Sequence, residues 1–172
     1  MVSNTFKNLD DEKKLRITDA FLNEFSNHTL MEAQVSRIVK ESGIARGAFY
    51  KYFDDLKDAY TYLYGMAMKE IHKDIQTDHA ASPVDFVKQT REFVEKSKDS
   101  SFYALVKMHI LHNESVFISS FNDQVITESE YQWATQVMIH ETIKQIMLEP
   151  SAKDVLLNKL TNVLTALVKE DD

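Results

Sequence analysis

The chain has 172 residues, 44% hydrophobic and 27% charged, with 3 Gly, 2 Pro and no Cys. That length buries a core without staples, and the absence of Cys excludes a disulfide scaffold, Cys-ligated metal and a thiol nucleophile. A formal net charge of −7 counts, taken whole, against nucleic acid, but residues 58–172 carry all of the excess while residues 1–57 are balanced.

So little Gly and Pro argues against an all-β chain, which needs a turn signal every 8–12 residues or so. Met1–Lys7 has no apolar run of a secretory signal, and no stretch approaches the ~20 apolar residues of a membrane span. A cytoplasmic protein with no membrane partner is expected. Helical periodicity dominates, and the predicted fold is all-α with about nine helices.

A first helix runs from about Asp11 to Phe25 on Leu15, Ile17, Ala20, Phe21, Leu22 and Phe25, with Asp10 or Asp11 as its cap. A short helix follows from about Glu32 to Glu41, with Val35, Ile38 and Val39 as its apolar face. Ser42-Gly43 closes it, because Gly accepts the left-handed conformation of a helix end. A second short helix spans about Ala45 to Tyr52, and the pair has the form of a helix-turn-helix. A longer helix from Asp54-Asp55 reaches about Asp78, and Ser82-Pro83-Val84-Asp85 starts another, Ser as N-cap and Pro at the first position. Helices are predicted next from about Phe102 to His112 and from about Glu114 to Ser120. A long one begins at Asp123, carries Val125, Ile126, Trp133, Val137, Ile143, Ile146 and Met147, and stops at Pro150. The last repeats Leu156, Leu160, Val163, Leu164 and Leu167 at steps of three and four. The charge change suggests two domains, residues 1–57 and 58–172.

The segment Gly43-Ile44-Ala45-Arg46-Gly47-Ala48-Phe49-Tyr50-Lys51-Tyr52-Phe53 carries the most chemistry. Gly47 costs a short helix about 1 kcal/mol relative to Ala, which is tolerable where its backbone must approach another surface. Arg46 and Lys51 supply cations, and the Tyr50 and Tyr52 hydroxyls suit phosphate oxygens. Phe49 and Phe53 make the inward face. The expected core around them is Phe21, Phe25, Val35, Ile38 and Ile44.

Residues 13–63 resemble the DNA-binding domain of the TetR family of transcriptional regulators. The resemblance rests on a first helix ending in Phe25, the Val35-x-x-Ile38 pair, Gly43-Ile44, and Arg46-Gly47-x-Phe49-Tyr50-x-Tyr52-Phe53. It implies a double-stranded DNA operator as partner and Ala45–Tyr52 as recognition helix. Arg46, Gly47 and Ala48 would then lie near bases, with Tyr50, Lys51 and Tyr52 at the backbone. Gln34 stands where the family usually has a phosphate-touching Thr or Ser, and Arg37 shares its exposed side. Ala45 and Ala48 replace usual hydroxyl residues, and Leu56 stands where a phosphate-binding Lys is expected, leaving Lys57 to take that role.

The same resemblance implies a homodimer, a palindromic operator, and repression relieved by an unknown small hydrophobic or aromatic effector. The dimer surface is expected from the last two helices: Val137, Ile143, Leu156, Leu160, Val163, Leu164 and Leu167. By itself the Leu156, Leu160, Val163, Leu164 and Leu167 stripe reads first as intramolecular core. The effector-site candidates are Phe86, Phe102, Tyr103, His109, His112 and Trp133, within a wider apolar set that includes Phe93, Met108, Phe117, Phe121, Tyr131 and Met138. His109 and His112 lie three apart but lack further ligands at a fitting spacing, so neither metal nor cofactor is expected. Nothing resembles a nucleophile elbow or a phosphate loop, and no enzyme is expected. The alternative is a helical regulator or interaction module controlled by a protein partner in place of a small ligand.

Overall fold

A computed structural model describes residues 2–73, 75, 82–117 and 129–170, with the side chains of the last two left aside. The described residues contain helices and no strands, as the periodicity predicts. The chain packs as two compact units: Met1–Glu70 with Ser101–Glu114, and Ile71–Ser100 with Ser115–Asp172. The expected division after residue 57 is therefore not where the packing divides. Ala59, Tyr60, Leu63 and Ala67 are all buried, so the helix that follows residue 57 belongs largely to the first unit.

The first unit opens with a short helix that periodicity did not reveal, α1 (Asn4–Lys7). Ser3 caps it, accepting the Phe6 N–H at 3.2 Å, and the Ser3 N–H donates to the Tyr52 carbonyl at 3.0 Å. Phe6 is fully buried against Tyr52, Phe53 and Tyr62. Helix α2 (Asp11–Asn27) starts where its cap predicts: Asp10 accepts the Lys13 N–H at 2.8 Å, and Asp11 and Glu12 lie in the positive first turn. It buries Ile17, Ala20, Phe21 and Phe25, while Leu15, expected on that face, is exposed. Helices α3 (Val35–Ser42) and α4 (Arg46–Tyr52) follow, then α5 (Leu56–His72). The α5 start is fixed by Asp55, whose carboxylate accepts the Asp58 N–H at 2.7 Å. Its expected extension to Asp78 runs into residues outside those described.

Helix α7 (Tyr103–Met108) returns to this unit and passes into a π turn, His109–Asn113, in place of the uninterrupted helix expected to His112. Helix α8 (Glu114–Phe117) follows, and the predicted continuation to Ser120 lies outside the described residues, as does Phe121.

In the second unit, α6 (Pro83–Asp99) begins as its sequence requires. Ser82 accepts the Asp85 N–H at 3.3 Å, with Pro83 in the first turn. Helix α9 (Glu130–Leu148) does not begin at Asp123. Ser129 caps it in a reciprocal box: Ser129 accepts the Gln132 N–H at 3.2 Å, and the Gln132 side chain accepts the Ser129 N–H at 3.2 Å. Asp123, Val125 and Ile126 lie outside the described residues. A 3₁₀ turn at Pro150–Ala152 breaks the path, and α10 (Lys153–Glu170) closes the chain. Val94, Ile146 and Leu157 form the core of this unit, with Val87, Phe93, Ile143 and Leu156 packed around them. Exposed ion pairs edge it, Arg91 with Asp154 at 3.0 Å and Lys153 with Glu95 at 2.8 Å. Such pairs typically contribute only about 0.2–1 kcal/mol each.

Candidate nucleic-acid interface

Helix α3 turns Val35 and Ile38 inward and ends on Gly43, whose φ of 67° is the left-handed conformation its place in the sequence predicts. The Ile44 N–H closes the turn on the Val39 carbonyl at 3.2 Å. Ile44 itself is only partly buried, against expectation. Ala45 occupies the N-cap of α4 without a side-chain bond, as a methyl must. Phe49 and Phe53 are buried against Phe21 in edge-on and tilted ring contacts between 5.1 and 6.3 Å.

The inward face of α4 is wider than expected. Tyr52 follows Phe49 by three residues, lands on the same side, and is only 6% exposed with its ring against Phe6. Its ring anchors α4 against Phe6, whereas the sequence reading placed Tyr52 at a DNA backbone. Arg46, Gly47, Tyr50 and Lys51 are exposed, and Ala48 is half-buried. The Arg46 guanidinium lies 6.0 Å from the centre of the Tyr50 ring, four residues on, a weak cation–π pairing that lays the cation along the exposed side. A Cβ built on Gly47 meets nothing within 4 Å, so nothing among the described residues requires Gly there.

Arg37 has a different employment from the expected one. Its Nε donates to Glu24 Oε2 at 2.8 Å and its Nη2 to the Glu32 carbonyl at 2.8 Å. Glu24 is 4% exposed and also accepts the Gln34 N–H at 2.7 Å. Burial pushes the Glu24 carboxyl up. The hydrogen bonds from Arg37 and Gln34, with the charges of Arg37 and His28, outweigh that and hold it below the usual carboxylate range. Glu24 thus ties α2 to the turn before α3. The sequence signal was there: an acid one helical turn after Phe21, on the buried face, needs a partner. The Gln34 side chain is exposed and accepts from Ser36 Oγ at 3.3 Å. Lys57 is exposed in the first turn of α5.

Two solved structures resemble the chain at 17% identity. One is a TetR family transcriptional regulator from Chloroflexus aurantiacus J-10-FL, with a TM-score of 0.57 over 99% of this chain and 98% of that one. The other is a candidate transcriptional regulator from Streptomyces coelicolor, with a TM-score of 0.55 over 90% and 97%. The fold is the TetR fold. No protein-family model and no curated protein matches the sequence.

In the second unit of this TetR fold, the stripe expected to dimerise divides in two. Leu160 and Leu164 are buried within the chain together with Leu157, which the expectation omitted, and Ile143 and Leu156 pack on the core that Leu157 belongs to. Spacings of three and four from Leu157 make that the inward line of α10. Val137 and Val163 are exposed, the latter 44%, and Leu167 is half-buried. Val137, Met138, Leu156, Leu160 and Val163 line an open apolar groove of about 270 Å³ between α9 and α10, rimmed by Glu141 and Lys159.

The effector candidates are not gathered into one unit. Phe102, Tyr103, His109 and His112 belong to the first, Phe86 and Trp133 to the second. Phe102 is buried as core, Trp133 is 53% exposed, and His112 is exposed. His109 Nδ1 lies 3.0 Å from the Tyr60 hydroxyl.

Proposed function

We propose that this protein is a DNA-binding transcriptional regulator that reads a palindromic operator as a homodimer. The observation that supports it best is the division of α4. Phe49 and Tyr52, with Phe53 just beyond, hold the helix from behind, and Arg46, Gly47, Tyr50 and Lys51 are left exposed with no internal task among the described residues that requires Gly47. A short, rigidly backed helix with cations and a bare backbone on its outer side suits a major groove. Arg46 and Ala48 are assigned to base edges, Tyr50 and Lys51 to phosphates, and Gln34 and Lys57 to the flanking backbone.

One such helix covers one half-site, so a partner copy is needed. The α9–α10 groove with exposed Val137 and Val163 is assigned to it. Repression relieved by a small apolar effector is the mode that the resemblance of residues 13–63 implies, and is part of the proposal. Fragmented genomic DNA, captured by the purified protein and sequenced, tests the proposal. An enriched inverted repeat is the expected result, and its absence sinks the operator reading.

A further inference from the structure

Helices α9 and α10 form a hairpin about the turn at Pro150–Ala152 and wall the groove described above. Steps of four, then three, place Trp133, Val137, Glu141, Gln145 and Leu148 along one side of α9, and all five are exposed. Steps of four do the same for Val155, Lys159 and Val163 on α10, also exposed. Each stripe is apolar at both ends and charged in its middle, and the two charges are opposite. Glu141 and Lys159 both line the groove. They stand equally far along the chain from Pro150, one before it and one after, so the hairpin sets them at one level on facing walls. Gln145 Nε2 donates to Glu141 Oε1 at 2.9 Å and steadies the carboxylate on its wall. Neither Glu141 nor Lys159 has an ion-pair partner among the described residues.

Exposed apolar stripes on both walls mark a face that is covered by a partner. Whatever covers the groove takes water from Glu141 and Lys159, which is strongly unfavourable unless an opposite charge meets each of them. The cover must therefore offer a cation to Glu141 and an anion to Lys159, at one level, between apolar ends. A second copy of this same face carries that pattern by construction.

A two-fold axis can lie in this face in two ways. Set across the helices, it lays α9 on α9 of the second copy. With the stripes in register, Glu141 then meets the partner's Glu141, and Lys159 meets the partner's Lys159. Set along the helices, it lays α9 on α10 of the second copy with every level unchanged. Glu141 then meets the partner's Lys159, Lys159 meets the partner's Glu141, and Val137 faces the partner's Val163. Only the second setting compensates the charges.

We propose that Glu141 and Lys159 form a reciprocal charge pair with a second copy of this chain, made twice per dimer, which selects a like partner and sets the two-fold axis along the α9–α10 hairpin. This rests on the homodimer reading above and adds to it the residues that choose the partner and its orientation.

Reversing one charge at a time tests the pair on the full chain, with self-association followed by sedimentation equilibrium. Glu141→Lys and Lys159→Glu each turn two attractive meetings into two repulsive ones. Each variant is expected to self-associate about thirtyfold more weakly than the parent. Net charge moves toward zero in the first and away from it in the second, so overall repulsion cannot weaken both. An equimolar mixture of the two restores both meetings. With one variant labelled with nitrogen-15, native mass spectrometry is expected to show the mixed dimer as the dominant species, with an affinity within about threefold of the parent's. The double variant, with the pair inverted, is expected to dimerise as the parent does, and recovery there or in the mixture shows that the reversed chains fold. A parent that dimerises while either single variant matches it, or a mixture and double variant that recover nothing, overturns the charge pair and leaves the homodimer reading in place. A parent that is monomeric at micromolar concentration overturns both.

Discussion

Gly47→Ala separates stability from DNA contact at one atom. Gly47 is exposed in the first turn of α4, and an added methyl group meets nothing within 4 Å. Ala favours a helix over Gly by up to about 1 kcal/mol, so the variant is expected to be more stable by about 0.5–1 kcal/mol. In a chain of this size that corresponds to roughly 1–4 °C in Tm. If the bare backbone exists to approach DNA, the same methyl group is forced between helix and groove, and affinity falls about tenfold, or about 1.4 kcal/mol. Gly65→Ala on α5 is the matched control, since that site is also exposed and open. It is expected to raise stability without touching affinity. Urea unfolding and fluorescence anisotropy on the selected operator provide the two readouts. A Gly47→Ala protein that is stabilised and binds as tightly as the parent refutes the reasoning.

Other outcomes follow from the same packing. Phe6→Ala empties the site that Tyr52, Phe53 and Tyr62 surround, and is expected to cost about 3–5 kcal/mol in urea unfolding of the first unit. Lys51→Ala is expected to reduce the salt slope of DNA binding by about 1, whereas Arg37→Ala, whose guanidinium is held by Glu24, leaves the slope unchanged. Val163→Glu, on an exposed edge of the α9–α10 groove, is expected to yield a folded monomer in sedimentation. Glu24 has its carboxyl held below the usual range in the folded state, so its contribution is complete above the unfolded value near pH 4.3 and is lost as pH falls through the folded one. Glu24→Gln is expected to be less stable by about 1.5–3 kcal/mol at neutral pH and to lose less stability than the parent on acid titration.

Local rules made much of the fold legible. Asp10 and Ser82 begin helices because each stands before an apolar periodic run, and Gly43 ends one because only Gly sits easily at positive φ. Phe21, Phe25, Phe49 and Phe53 repeat at helical steps and are buried together. The failures have physical reasons. Phe6 lies in a single helical turn, too short for periodicity, and only its aromatic partners from α4 and α5 reveal it as core. Tyr52 is compatible with either side of its helix until Phe6 claims it. Ser129-x-x-Gln132 is a readable capping box, but the apolar Val125 and Ile126 upstream drew the expected start away from it. Leu156 and Leu157 are adjacent apolar residues, and a one-residue rotation of α10 decides which of them faces the core. Asn113 shows nothing in sequence, because its hydrogen bonds run to Leu30 and Tyr60, each more than 50 residues away.

The charge pattern also takes a sharper form. Within residues 30–53, Arg37, Lys40, Arg46 and Lys51 stand against Glu32 and Glu41. The Arg37 guanidinium is committed to Glu24, which lies outside that window, while Lys40, Arg46 and Lys51 are exposed. On the proposed reading each subunit therefore brings about four cations to DNA, Lys40, Arg46, Lys51 and Lys57, with Gln34 and Tyr50 beside them. Each phosphate neutralised contributes roughly 0.9 to the salt slope, so one subunit gains little from counterion release. Two subunits joined through α9 and α10 double the contacts and make the second engagement intramolecular, which multiplies affinity without new contacts. An overall charge of −7 then fits a DNA reader: it suppresses binding by one subunit at random sequence and leaves the paired, registered contact as the one that survives physiological salt.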